Sequence, residues 1–342
     1  MRILIKASIE TKNVIKRNGY YWHSACYYPF SFYKTFKELG HEVKFYGDTA
    51  LKNTIDGVEY EIITDYTGYD MMFWRGLESF VFDKEFALLT AKNFKGIKCI
   101  SLGTNSRYPI LNHFDYMMPT EDERFVEFYQ KNFTNLKVFK IPLASPCFDF
   151  VDKDDSNPYP DDKFKIVYTG IIHGRYLSYL NKMAEKGEQI YLGGTYYPRA
   201  ERLAGTGVRP FNEEEIKSLL HPNINLITHN GRFNYGHQFK YLKHANVGLV
   251  FYPAPKPLSL SCKITDYLVC GLPVVAEDTV PNAKRITDIN AGQIVKWSNF
   301  NAMYDAIKRE QDMKRDKSVI KQKAREIFNI KDNCKLIIEG LK

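Results

Sequence analysis

Residues 259–277 read SLSCKITDYLVCGLPVVAE, and the rest of the chain is best understood outward from this stretch. Ser259 or Ser261 can cap a helix running to about Cys270, Gly271 can end that helix, and Leu272-Pro273 opens a buried strand. Free backbone N–H groups at such a helix start can bind a diphosphate, and Lys263 adds a point charge nearby. Asp266 is acceptor-only when ionised and could take both hydroxyls of a ribose. The same residues also suit a helix that is merely capped and solvated.

Outside this stretch, short β-branched or aromatic runs alternate with segments of helical period along the whole chain, the pattern of parallel βα units. The first series of strands falls at residues 2–7, 42–46, 69–74, 97–102, 116–119 and 137–141, with a helix over 29–39 that Pro29 opens and Gly40 closes. A second series falls at 164–169, 189–192, 224–227, 247–251, 273–276 and 292–295. Between them SPCFDFVDKDDSNPYPDD (145–162) is rich in Pro, Asp and Ser and reads as a linker. The expected fold is α/β: two doubly wound Rossmann-like domains, 1–144 and 163–325, facing a cleft. A C-terminal helix over 326–342 is expected to cross back to the first domain. A length of 342 residues agrees with two domains at roughly 150 residues each.

Six cysteines without a CxxC pair argue against a disulfide scaffold or zinc ribbon. No apolar run approaches the roughly 18 residues of a membrane span. A soluble, cytoplasmic chain is expected, with peripheral membrane contact left open. The net charge of +8 favours anionic partners such as nucleotides, nucleic acid or a membrane surface.

Ligands of open α/β sheets sit beyond the carboxyl ends of the strands. That rule singles out the loop 8–24 with His23, the TGIIHGR turn (169–175) with Gly170, His173 and Arg175, and HNGRF (229–233). Arg175 can clamp a phosphate with two parallel bonds. Both Arg175 and Lys263 are therefore expected to serve binding and to leave folding stability nearly untouched. His23 and Glu78 are the candidate acid–base residues, though a lone His in a polar loop is more often a surface residue and a helix-start acid at least as often a solvated one. His237 and His244 lie seven apart on an expected helix, but no third ligand joins them and no metal is assigned.

KITDYLVCGLPVVAED resembles the nucleotide-sugar motif of glycosyltransferases with the two-Rossmann-domain GT-B architecture, commonly written K-x-x-E-Y-L-A-x-G-x-P-V-V. KELGHEV, DYMMPTEDE, IPLASPCF, IVYTG and INLITHNGRF are similar in the same order. The resemblance implies transfer of a sugar from a nucleoside diphosphate sugar, foremost a UDP-sugar, without a metal or other cofactor. It places Asp266 where the family has a ribose-binding Glu. Arg175 and Lys263 would neutralise the diphosphate, and the backbone from Gly231 to Phe233 would meet the base. Ser259 and Ser261 belong to the same donor site. The chain departs from the pattern at Leu258, where many retaining members carry a second Glu. Thr104-Asn105-Ser106-Arg107-Tyr108-Pro109 is loosely similar to a Thr-Asp-x-Arg-x-Pro segment of T-even phage DNA β-glucosyltransferase. Its Asp, the supposed base, is Asn105 here, and Asn cannot accept a proton at neutral pH. With that base missing, and His23 and Glu78 the only candidates for its role, a retaining front-face mechanism is the expectation over inversion.

The expected acceptor is a saccharide or cell-envelope glycan held by Tyr20, Tyr21, Trp22, Asn105 and Arg107. The alternative is duplex DNA with hydroxymethylated bases, favoured by Lys12, Lys16 and Arg17. A non-catalytic nucleotide- or DNA-binding module is the remaining alternative.

Overall fold

The computed structural model describes residues 1–17, 24–75, 84–102, 108–120, 123–172, 174–196, 212–227, 234–252 and 260–341. The chain divides into two compact units, 1–147 with 328–342, and 148–327.

The first unit runs β1 (Arg2–Lys6), α1 (Ile9–Lys16), α2 (Ser24–Glu38), β2 (Glu42–Tyr46), β3 (Leu51–Ile55), β4 (Val58–Ile63), β5 (Met71–Arg75), α3 (Lys84–Asn93), β6 (Ile97–Leu102), β7 (Tyr116–Pro119), α4 (Glu123–Asn132) and β8 (Lys137–Val138). Its strands form one sheet in the order β3-β4-β2-β1-β5-β6-β7-β8, parallel except for the β3–β4 hairpin. Central strands such as β5 are buried along nearly their whole length, as a parallel sheet covered on both faces requires.

The second unit begins with α5 (Phe148–Asp152), β9 (Lys165–Ile172), α6 (Gly174–Glu185), β10 (Gln189–Tyr196), α7 (Glu213–Lys217), β11 (Ile224–Leu226) and α8 (Tyr235–His244). It continues with β12 (Val247–Val250), α9 (Cys262–Val269), β13 (Val274–Glu277), α10 (Lys284–Asp288), β14 (Gly292–Val295), α11 (Phe300–Met313) and α12 (Lys317–Ile327). The all-parallel sheet has the order β11-β10-β9-β12-β13-β14, the doubly wound order in which ligands sit where the winding reverses, at the carboxyl ends of the first and fourth strands. Ile166, Tyr168, Leu192, Leu249 and Val275 form its dry centre.

The last helix, α13 (Ile330–Gly340), packs on α2 in the first unit. Asn333 donates to the Pro142 carbonyl at 2.7 Å, and the Ser145 N–H donates to the Phe328 carbonyl at 2.9 Å.

Four local expectations change. Part of the loop 8–24 is helical, because Ser8 caps α1 by accepting from the Thr11 N–H and Val14 and Ile15 bury its inner face. Helix α2 starts at Ser24, so Pro29 lies inside it and not in its first turn. The hairpin β3–β4 is additional; its Asp56-Gly57 turn has both residues at positive φ, 52° and 75°, as a tight two-residue hairpin demands. The segment 145–162 is not a plain linker: Phe150 and Val151 bury α5, and Asp152 accepts two bonds of 2.7 Å from Arg325.

Candidate functional site

Four of the sequence-derived donor-site residues, Gly170, Ser261, Lys263 and Asp266, lie in the second unit around the end of β9 and the start of α9. Gly170 has φ +117°, and a Cβ at that position would collide with the Lys263 side chain, so the glycine is what lets the lysine lie against the strand end. The Lys263 ammonium is 5.7 Å from the centre of the Tyr168 ring. The preceding residue is held from the other side: the Thr169 N–H donates to the Tyr267 hydroxyl at 2.9 Å, which ties β9 to α9.

Ser261 occupies the cap position of α9, yet its side chain makes no cap bond. Asn282 does the anchoring instead. Its Oδ1 accepts from the Ser261 N–H at 2.9 Å, and its Nδ2 donates to the Ser261 carbonyl at 3.0 Å. Ser261 is left buried, at 6% exposure, and its hydroxyl has no hydrogen-bond partner among the described residues. A helix start beside a lysine, with a buried hydroxyl that has no partner among the described residues, has the chemistry of an oxyanion site.

Asp266 differs from the sequence expectation of an open ribose acceptor. It is only 2% exposed, and both its oxygens accept from the Tyr235 hydroxyl at 2.7 Å. Burial pushes its pKa from an ordinary 3.8 to about 7, against the opposing pull of the Tyr235 bond and the Lys263 charge. Asp is one methylene shorter than Glu, and here the reach of a tyrosine from the first turn of α8 fills the gap.

Arg175 also differs from expectation. Its guanidinium is not held out for a phosphate: Nη1 donates to Glu277 Oε1, and Nη2 donates to Glu277 Oε2 at 2.9 Å and to the Tyr252 carbonyl. Glu277 is 1% exposed and further accepts from the N–H groups of Tyr252 at 2.8 Å and Ser298 at 3.0 Å. Trp297 closes the cluster, donating its indole N–H to the Tyr252 carbonyl at 3.1 Å, with its ring 5.3 Å from the guanidinium. Burial works against the charge of Arg175, but the bond and charge of Glu277 outweigh it and hold the pKa above its ordinary value. The result is a clamp joining the ends of β12, β13 and β14 to the start of α6, and it leaves the guanidinium less free for a ligand than the sequence suggested.

Sequence reasoning missed Glu277, Tyr235 and Asn282. The one usable signal was Glu277 itself, a carboxylate ending the otherwise apolar strand VVAE. His23, Glu78, Tyr20, Tyr21, Trp22, Asn105, Arg107, His173, Gly231, Phe233 and Ser259 lie outside the described residues, as does Leu258. Lys12 is bonded to Asp48 from within α1, while Lys16 is exposed at its end. His237 and His244 both sit on α8, where the ring of His244 meets the Asp155 carbonyl at 2.8 Å. Among the described residues no group of three His, Cys, Asp or Glu is placed to hold a metal, and no helix is long and apolar enough to cross a membrane.

No family model and no curated protein sequence matches the chain. Solved structures do. A sucrose-phosphate synthase from Thermosynechococcus elongatus superposes with a TM-score of 0.65 at 13% identity over 100% of this chain and 98% of its own. A glycosyltransferase from Rickettsia africae gives 0.62 at 13% identity over 100% and 98%. HepE of Anabaena, solved with UDP and glucose, gives 0.60 at 11% identity over 100% and 99%. The chain therefore has the two-sheet GT-B fold that these proteins share. Identities this low establish the fold, and the function has to be argued from the site.

Proposed function

We propose that the chain is a glycosyltransferase that moves a sugar from a nucleoside diphosphate sugar to a hydroxyl acceptor. The observation that carries this reading is the meeting of Lys263 with Gly170 at the start of α9, beside the Ser261 hydroxyl, which has no partner among the described residues. Backbone N–H groups, the helix dipole and one ammonium there would hold a diphosphate and stabilise it as it leaves. Uridine is the favoured base, because HepE binds UDP and glucose and a similar trehalose-phosphate synthase from Burkholderia vietnamiensis is described as UDP-forming. A ribose contact by Asp266 would have to share the carboxyl group with Tyr235.

The acceptor in this reading is a saccharide or cell-envelope glycan. Duplex DNA is less favoured, because Lys12, one of its supposed phosphate contacts, is already paired with Asp48. The thiols of Cys99, Cys270 and Cys334, unbridged among the described residues, suit a reducing, cytoplasmic location.

A thermal-shift screen against UDP-, GDP-, ADP- and CMP-sugars tests the reading, since a ligand selective for the native state raises the melting temperature. One nucleotide class should stabilise the protein, and Lys263→Ala should weaken its binding by about 1.5–3 kcal/mol, the range for a charge-assisted bond. Equal affinity in the variant would move the site elsewhere. Transfer is expected to proceed in EDTA, the diphosphate charge being met by Lys263 and the helix start; an absolute need for manganese or magnesium would refute that part.

A further inference from the structure

The carboxyl edge of the first sheet holds a cation with few partners. Arg75 ends β5 and pairs in register with Ser101 of β6, so the two side chains stand on the same face of neighbouring strands. A guanidinium has five N–H donors. One of them reaches the Ser101 carbonyl at a long 3.4 Å, and the Tyr28 ring lies 5.1 Å from the guanidinium carbon. Arg2, Arg175, Arg315 and Arg325 each meet a carboxylate, from Glu42, Glu277, Glu310 and Asp152 respectively. Arg75 meets none among the described residues.

Two further observations converge on the same place. The Ser101 hydroxyl is fully buried and has no hydrogen-bond partner among the described residues, a state that proteins rarely keep without a reason. Tyr28 is the fifth residue of α2, so the ring nearest the guanidinium belongs to the amino-terminal part of that helix. The first turn of α2 carries no acidic side chain, and its N–H groups have no acceptor within the helix.

We propose that Arg75, the Ser101 hydroxyl and the first turn of α2 form a binding site for an oxyanion, a phosphate or carboxylate carried by the molecule that the first unit binds. The guanidinium fork matches two oxygens of such a group, the hydroxyl donates to one, and the helix start adds amide donors and a favourable dipole. The site lies at the carboxyl ends of parallel strands, where this class of sheet takes its ligands. It stands independently of the glycosyl-transfer reading. Under that reading it makes the acceptor an acidic one, a sugar phosphate or a sugar acid.

The test titrates the full chain with inorganic phosphate and, separately, with acetate at constant ionic strength, followed by calorimetry. Saturable binding of one of the two is expected at millimolar concentration, and the tighter ion names the group. Arg75→Gln should weaken it at least about tenfold and Ser101→Ala several-fold, by the loss of charge-assisted bonds. In a Lys263→Gln background, which removes the oxyanion site assigned to the other unit, the ion should still bind and Arg75→Gln should still weaken it. Arg75→Lys keeps the charge without the fork and should recover only part of the affinity, which guards against a folding defect in Arg75→Gln. No saturable binding of either ion, or binding lost in Lys263→Gln and kept in Arg75→Gln, would overturn the proposal. Neither result depends on whether a nucleotide sugar binds, so the two readings fail separately.

Discussion

Arg175→Ala should destabilise the free protein by about 3–5 kcal/mol, the cost of leaving a buried charge without its partner. Glu277, 1% exposed in the intact protein, would keep only the N–H groups of Tyr252 and Ser298 to satisfy it. Its own removal should be comparably severe, since Glu277→Ala orphans those two N–H groups as well as the guanidinium. Urea denaturation of the single variants and of the double variant Arg175→Met/Glu277→Leu measures the coupling directly. The double variant should lose much less than the sum of the two single losses. Additive losses, or an Arg175→Ala variant as stable as wild type, would show that the pair does not hold the strand ends together.

The second large effect concerns pH. A carboxyl whose pKa rises from 3.8 unfolded to about 7 folded binds more protons in the native state between those values. Stability must then fall as pH rises from about 4 to about 7, by up to about 4 kcal/mol for a shift of this size. Asp266→Asn cannot ionise and keeps an oxygen to accept from Tyr235, so it removes this dependence. Denaturation at pH 5 and pH 8 should show the wild type losing about 2–3 kcal/mol more than the variant across that interval. Parallel losses would mean that Asp266 is ionised in the fold and reachable by solvent.

The parallel strands were legible because they are nearly continuous apolar runs: MMFW in β5 and VVA in β13 are buried on both faces. The hairpin was not, because β3 reads LKNTI with its lysine and threonine exposed at the sheet edge, and that composition resembles a loop. Its Asp56-Gly57 turn was the available signal. The start of α2 was obscured by Pro29, which marks helix beginnings more often than interiors.

At the site, Lys263, Ser261 and Gly170 could be found from local rules, since a helix start and a strand end are written in consecutive residues. The partners of Arg175 and Asp266 could not. Glu277 lies 102 residues from Arg175, and Tyr235 lies 31 residues from Asp266 on another helix. Motif spacing says which residue types a site needs. Whether a charge faces a ligand or another side chain depends on contacts between distant segments, which spacing does not encode.

Hydrogen exchange on the full chain tests most directly whether the carboxyl edge of the second sheet receives the donor. The protein would be compared alone and with the nucleotide sugar giving the largest thermal shift. The amides of residues 169–172 and 260–266, at the end of β9 and the start of α9, should exchange markedly more slowly in the complex, and Lys263→Ala should diminish that protection. Protection confined to the first unit, or none at either segment under saturating nucleotide sugar, would contradict the account.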